Sequence, residues 1–350
     1  MATISGVNTR AAIGISESAD TWGTAEAVDE RIVFESLTFN ENVNTLMTSG
    51  IGSGGQFSDN AKRGAVSVSG SLTMKAGFDN GFTKLMAAFM GASSGSEQTS
   101  SQGDYLHVIT SNATAAAYWI TLAVESSSTT VLEFPSMAIT GVTLNFKPMD
   151  YVEATFDFIA DRLVTTSPTN NNAAIGATTV TDSEYACYMD SDEFLINAQA
   201  SGALTTSTHR LNTTGVVFTL QKNLEFIIEA KGSSGNGTPV FSDKATGRVS
   251  VALKANADNT YWTAAQAATE YKCSTKAEGT QIGSGDNKKI EALIPRMILI
   301  ETPDMSLSSP GTNPVTLNFE ILEAASNPTG MSDTTPYIEV TNEQSSDYTA

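Results

Sequence analysis

Apolar and polar residues alternate along most of this chain. In AVSVSGSLTM (65–74), Val66, Val68, Leu72 and Met74 share one phase with Gly70, while Ser67, Ser69, Ser71 and Thr73 hold the other. Successive side chains of a strand point to opposite faces, so this segment predicts a strand with one buried face and one small, polar face. RIVFESLTF (31–39), YLHVIT (105–110), YWITLAV (118–124), GVTLNF (141–146) and YVEATFDFIAD (151–161) carry the same alternation or a run of β-branched and aromatic residues. Later in the chain GVVFTLQ (215–221), EFIIEA (225–230), RVSVALKA (248–255), RMILIE (296–301) and PVTLNFEILEA (314–324) do so too. A helical period marks two segments. In NGFTKLMAAFMGA (80–92), Phe82, Leu85, Met86, Phe89 and Met90 fall on one stripe, with Gly91 as a stop. NTYWTAAQAATEYK (259–272) sets Tyr261, Trp262, Ala265 and Ala268 on another. The pattern predicts a mainly β protein in which short helices pack on antiparallel strands.

The pattern is also written twice. QFSDNAKRGAVSV (56–68) and VFSDKATGRVSV (240–251) both run Phe-Ser-Asp, a short basic turn with a glycine, then Val-Ser-Val. IVFESLTFNENV from Ile32 precedes the first copy, and VVFTLQKNLEFI from Val216 the second. VEATFDFIA from Val152 and VTLNFEILE from Val315 follow them in the same order. This order predicts a tandem duplication of one β-rich domain, residues 1–164 and 183–350, each with one helix after its Val-Ser-Val strand. A polar segment at 165–182 with Pro168 and three consecutive asparagines reads as the linker. A chain of 350 residues is the right length for two such domains. The tail NEQSSDYTA (342–350) reads as weakly ordered. Glycine-rich loops occupy matching places, MTSGIGSGGQFSDNAKRG (47–64) and AKGSSGNGTPVFSDKATG (230–247). Structureless loops this long are uncommon in compact domains, and finding one in each copy points to function.

Charge and candidate chemistry narrow the picture by exclusion. Lys plus Arg number 19 against 38 for Asp plus Glu, a net charge of −19, which excludes an ordinary DNA-gripping surface of clustered cations. Cys187 and Cys273 both lie in the second half and read as two reduced thiols, not a shared disulfide framework. The opening MATISGVNTRAAIG has no apolar signal core, and no apolar run approaches a membrane span, so the expectation is a protein made and kept soluble in a cytoplasm. GIGSGG (Gly50, Gly52, Gly55) fits G-x-G-x-x-G formally, but a strand pattern follows where a dinucleotide site needs a helix. In YMDSDEF, Asp190, Asp192 and Glu193 lack the remaining ligands of a calcium loop, with Phe194 standing where one should be. His107 and His209 have no nucleophile at motif spacing, and the sequons at Asn112, Asn212 and Asn236 are silent without secretion. No catalytic, cofactor-binding or metal residue is singled out, and the expectation is a non-enzyme without a cofactor.

Trp22-Gly23-Thr24-Ala25, in AAIGISESADTWGTAEAVDERIVFESLTF, and Val68-Ser69-Gly70-Ser71-Leu72, in the strand before the first helix, resemble the opening of bacteriophage tail tube proteins. FTLQKNLEF and IEALIPRMILIETPDMSL in the second half resemble later strands of that family, so the likeness spans most of the chain. It implies tandem β-sandwich or half-barrel tail-tube domains, each with a flanking helix, whose inner sheets join between neighbours around a lumen. It further implies rings that stack into a tube through which DNA leaves the capsid. Two fused copies would close a six-domain ring with three chains, giving homotrimeric rings of pseudo-sixfold symmetry. The implied partners are further copies of the chain, a tape measure protein and other tail proteins, in a virion made in a bacterial cytoplasm, with DNA passing unbound and no membrane anchor. In such a tube the polar faces of the Val-Ser-Val strands and of the last strand in each half would line the bore: Ser67, Ser69, Ser71, Thr73, Glu153, Thr155, Asp157, Ser250, Thr316, Asn318 and Glu320, with Lys254 as a basic exception. The glycine-rich loops, with Gly50, Gly52, Gly55 and Phe57 in one and Gly232, Gly235, Gly237 and Phe241 in the other, would make ring-to-ring contacts. The alternatives are another virion β-protein, such as a tail terminator or capsid decoration protein, and a ligand-binding β-sandwich.

Overall fold

The alternating segments are strands, and most of them hydrogen-bond into one network. The computed structural model describes residues 9–16, 22–48, 60–112, 118–127, 129–180, 182–189, 192–227, 238–254, 260–303 and 314–349. The first half holds β1 (Ala11–Ser16), β2 (Glu30–Ile32), β3 (Ser36–Thr48), β4 (Asn60–Lys75), β5 (Gly91–Glu97), β6 (Tyr105–Ser111), β7 (Trp119–Ser127), β8 (Thr130–Phe146), β9 (Asp150–Tyr151) and β10 (Glu153–Ala160). Helix α1 (Phe82–Met90) lies between β4 and β5, and α2 (Asn172–Ala177) follows β10. Then come β11 (Cys187–Tyr188), β12 (Phe194–Ala198), α3 (Thr206–His209), β13 (Arg210–Leu211), β14 (Gly215–Gln221), β15 (Leu224–Ile227), β16 (Thr238–Phe241), β17 (Thr246–Leu253), α4 (Thr260–Gln266), β18 (Glu270–Gln281), β19 (Asn287–Leu299), β20 (Val315–Ile321) and β21 (Tyr337–Asn342). The fold is mainly β, with antiparallel pairing throughout. Both helix signals of the sequence are helices, the second shorter than read: α4 ends at Gln266, Ala268 has φ 51° and Glu270–Lys272 open β18. Gly91 ends α1 in the left-handed conformation, φ 100°, where a side chain would be strained, and its N–H reaches the Ala87 carbonyl.

Following the hydrogen bonds through the first half gives the strand order β3–β4–β10–β8–β7–β1. Through the second half it gives β14–β17–β20–β19–β18–β12. Each series starts from a strand paired with the Val-Ser-Val strand, which in turn pairs with the strand holding VEATFDFIA or VTLNFEILE. A rung across four strands reads Phe39, Gly70, Phe158, Ile139 in the first series. A rung of the second series reads Phe218, Val249, Phe319, Leu299. Between β4 and β7 the first half adds the β5–β6 hairpin, to which β21 pairs through Tyr337↔Thr110 to Asn342↔Tyr105.

The two series are joined edge to edge. β14 runs along the far side of β8, from Val216↔Phe146 to Gln221↔Gly141. At that seam Phe146 and Phe218 are buried, their rings edge to face at 5.8 Å, and Tyr188 packs on Phe146 at 5.6 Å. A single large cluster of buried side chains runs through both halves, with all of α1 inside it or against it. Lys84 of α1 is buried and bonds both carboxylate oxygens of Asp29 at 2.6 and 2.7 Å. The polar segment after β10 is tied down: Asn170 is buried against Glu133, and Ile175 of α2 is fully enclosed. The tail departs from its sequence reading. Tyr348 is buried, donates to Asp79 at 2.9 Å and stacks edge to face with His107 at 4.9 Å, while Asn342 donates to the Phe78 carbonyl at 2.7 Å. A terminal segment stays ordered where it brings an aromatic side chain and its polar partners into a core, and the sequence pattern of small polar residues hid both.

Candidate functional site: a polar sheet face across both halves

One feature of this sheet has the extent and continuity of a working surface. Directly paired residues of neighbouring strands share a face. Ser36, Thr73, Thr155, Thr143, Thr219, Arg248 and Glu320 therefore form one row across β3, β4, β10, β8, β14, β17 and β20. A neighbouring row runs Lys75, Glu153, Asn145, Val217, Ser250 and Asn318, and a third runs Thr38, Ser71, Asp157, Gly141 and Gln221. Ser69 pairs with Asn40, Ser67 with Asn42, and Thr316 with Ala252 in the same phase. All eleven polar residues singled out in the sequence thus lie on one side of one sheet. The opposite side holds Val68, Leu72, Met74, Phe156, Phe158, Val249, Val251, Leu317 and Phe319, all buried.

The face is held by short side chains that satisfy one another across strands. Thr73 and Thr155 hydroxyls meet at 3.2 Å, Ser250 donates to Asn318 at 2.7 Å, and the Asn318 amide donates to Glu301 at 2.6 Å. Carboxylates are Glu153, Asp157 and Glu320; burial raises the Asp157 carboxyl above its usual range. Two cations sit among them that the sequence reading missed. Lys75 bonds Glu153 at 3.1 Å and lies 3.6 Å from Glu35. Burial opposes its charge, but these carboxylates hold the ammonium above its usual value. Arg248 stands directly across from Glu320. Their signal was present, since both continue the polar phase of their strands by one step of two. The face is accordingly hydroxyl-rich and carries charge of both signs, with no cluster of free cations. Thr143, Asn145, Thr219 and Gln221 also belong to it, and the alternation of GVTLNF and GVVFTLQ carried that signal.

Gly70, at the centre of Val-Ser-Gly-Ser-Leu, is explained by the core beneath. A Cβ there would lie 2.3 Å from the Thr38 carbonyl oxygen and 2.6 Å from the Phe158 ring. The ring-contact residues Gly50, Gly52, Gly55, Phe57, Gly232, Gly235 and Gly237 lie outside the described residues. Phe241 ends β16, is partly exposed, and lies 5.8 Å from the Lys222 ammonium, which also sits 5.3 Å from the Phe89 ring. Cys187 and Cys273 are free thiols. His107 is buried against the Gln344 carbonyl, and His209 caps the α3 turn at Thr205. Among the described residues, no group of three or more His, Cys, Asp or Glu is placed to hold a metal ion, and no helix is long and apolar enough to cross a membrane.

An extended polar face on a β sheet, backed by one apolar core, is a surface that a structural protein can present. The comparison with protein families agrees: the model of the phage tail tube protein family matches residues 8–337. The chain belongs to that family, and is a structural protein of the phage tail. No curated protein matches it.

Proposed function

We propose that three copies of this chain close a ring of pseudo-sixfold symmetry, that rings stack into the tail tube, and that the polar face lines the bore through which DNA is ejected. The observation that carries this reading is the repeated strand order with its internal seam. β14 heads the second series and pairs with β8 of the first. Its counterpart β3 heads the first series and, among the described residues, pairs only with β4. An open edge of thirteen residues is an invitation to pair with another chain. In the ring, β3 takes the seat beside the neighbour's β19, as β14 does beside β8. Residues 1–164 and 183–350 are then two tube domains of one chain. The seam inside the chain and the seam between chains are two versions of one joint, and closing the ring covers the open β3 edge.

The polar face supports the conduit. Lys75 is paired with Glu153 and Arg248 stands across from Glu320, so the face offers DNA no run of Lys and Arg to displace counterions, and the strand passes without being held. The surplus of Glu153, Asp157, Glu320 and Glu301 over Lys75, Arg248 and Lys254 adds repulsion, which screening confines to about 10 Å at 0.1 M salt. The tube also meets a tape measure protein and other tail proteins, and the chain is made in the host's cytoplasm. A terminator or decoration protein would share the fold but stop at discrete particles. The test is cysteine labelling of assembled tubes at positions 153, 157 and 320. A maleimide too bulky to enter the bore should leave all three unmodified in tubes and modify them in free chains. Ready modification of all three in intact tubes would place this face outside.

A further inference from the structure

A second polar surface, on β18, β19 and β21, lies away from the face assigned to the bore, and it is hollowed into a cavity. Its wall is two rows of directly paired residues. Lys276, Glu291 and Glu339 form one, and Glu278, Lys289 and Thr341 form the other, with Leu106 of β6 next to Thr341. The opposite side of these strands, with Ala277, Ile290, Ala292 and Val340, is buried in the core. Leu204, Thr205 and Thr206 around the start of α3, and Gly285 and Asp286 in the β18–β19 turn, complete the lining. The cavity measures about 530 Å³, within the range of small-molecule sites. Its rim is fixed by the chain's own bonds. Thr206 donates to Glu193 Oε1 at 2.8 Å, which ties α3 to the wall. The Asp286 amide donates to Asp104 at 2.9 Å and the Ser284 amide to Gln102 at 3.1 Å, which holds the turn.

Charge in the lining is unbalanced. Glu193, Glu278, Asp286 and Glu291 stand there against Lys276 and Lys289, a surplus of two carboxylates. Both lysines are already engaged. Lys276 bonds Glu278 at 2.9 Å and lies 3.6 Å from Glu193 Oε1, and Lys289 bonds Glu291 at 3.0 Å and Glu339 at 3.2 Å. Burial opposes both charges, yet these carboxylates hold both ammoniums above their usual value. Glu193 is only 6% exposed, and its buried Oε2 has no hydrogen-bond donor among the described residues. A buried carboxylate oxygen without a donor is costly, and nearly all such atoms in folded proteins find a partner.

We propose that this cavity binds a linear polyamine, with one ammonium on Glu193 Oε2 and the alkyl chain running along β18 past Glu278 toward Asp286. An ammonium suits the first point better than a guanidinium. Glu193 Oε1 is taken, so a single oxygen is offered, and a planar fork would be left half unpaired. A metal ion fits less well, because among the described residues no three His, Cys, Asp or Glu converge to hold one. Glu193 lies beside Lys276, whose amide bonds its carbonyl, and Glu278 is two residues, about 7 Å, further along the strand. Carboxylates thus recur along the cavity as amines recur along the ligand. Leu106, Leu195 and Leu204 give the methylenes an apolar path. The site needs one chain only, so it stands whether or not rings close as proposed above.

The experiment titrates spermidine into the full chain by calorimetry at physiological ionic strength, beside magnesium chloride and N-acetyl-lysine amide. One spermidine should bind per chain, saturably, without displacement by an equal concentration of magnesium, and the singly charged amide should not bind. Glu193→Gln keeps the side chain's shape and its bond from Thr206, and should weaken spermidine by about tenfold or more. Asp286→Asn, on the exposed turn, should weaken it by about threefold, and Glu323→Gln, outside the cavity, should leave it unchanged. Urea midpoints without ligand establish that each variant is folded. Absence of saturable binding to the wild-type chain, displacement by magnesium, or binding of the amide as tight as that of spermidine overturns the proposal. So does wild-type affinity in a folded Glu193→Gln chain or, should that variant not fold, in Asp286→Asn.

Discussion

Phe39 and Phe218 lie in the strands that head the two series, yet the free chain treats them differently. Phe218 is 2% exposed, walled by β8 and Phe146, whereas Phe39 is 37% exposed on the open edge and touches Phe134 edge to face at 5.2 Å. Truncating a fully buried phenylalanine costs about 3–5 kcal/mol, so Phe218→Ala should lower the stability of the free chain by about 4 kcal/mol. Phe39→Ala should lower it by only ~1–2 kcal/mol, because part of the ring already meets water. Assembly reverses the ranking. If β3 is covered by a neighbour, the exposed third of the ring, roughly 70 Å² of a ~200 Å² side chain, is buried at each joint. At about 25 cal/mol per Å² that is ~2 kcal/mol per joint, or about a 30-fold weaker contact once the ring is removed. Urea unfolding of free chains gives the first pair of numbers, and the concentration dependence of ring formation gives the second. Phe39→Ala rings that form at the wild-type concentration would refute the seating of β3 against a neighbour.

Burial, aggravated by Asp79, pushes the Glu30 carboxyl up to about 7, so the folded chain keeps a proton that the unfolded chain releases above the ordinary value of 4.5. Stability from this group is therefore full below pH 4.5 and lost as pH rises through 7, by up to about 3 kcal/mol at 1.36 kcal/mol per unit. Glu30→Gln should remove that slope from urea midpoints measured between pH 5 and 8, and an unchanged slope would contradict it. Gly70→Ala forces a methyl against the Thr38 carbonyl and the Phe158 ring and should cost about 2 kcal/mol or more in thermal or urea unfolding. Burial lowers the Lys222 ammonium to about 8, so its charge opposes folding below that pH. Lys222→Met should raise the urea midpoint at pH 6.5 and leave it nearly unchanged above pH 10.5, where both states are neutral.

Where one face of a strand is buried and the other small and polar, the sequence was legible. Val66 to Met74 and Val152 to Phe158 alternate without a break, and that phase separates seven of the eleven polar residues from the apolar face of their strands, as RVSVAL and VTLNFEI do for Ser250, Thr316, Asn318 and Glu320. α1 was equally plain, because five large side chains keep a helical stripe between Gly81 and Gly91. β18 was not, since Lys272, Lys276 and Glu278 interrupt its apolar phase. Lys272 is buried and donates to the carbonyls of Ser201 and Thr329 at 2.8 and 3.0 Å, a role no local pattern announces. β5, GASSGSE, has no apolar signal and is a strand because β6 pairs with it along its whole length. RIVFESLTF breaks at residues 33–35 into β2 and β3, which have different partners. The seam between β8 and β14 and the β9–β11 pair are contacts between distant segments. Such contacts leave no periodic trace, and only the hydrogen-bonded register brings them together.

The number of chains in one layer of the tube distinguishes a ring of three two-domain chains from a ring of six. Helical reconstruction from electron micrographs of the assembled wild-type protein counts them directly. Three chains per layer, with six similar lobes, the polar face innermost and β3 of each chain paired to its neighbour, is the expected result. Six chains per layer, with one half of each chain hanging outside the ring, would contradict it.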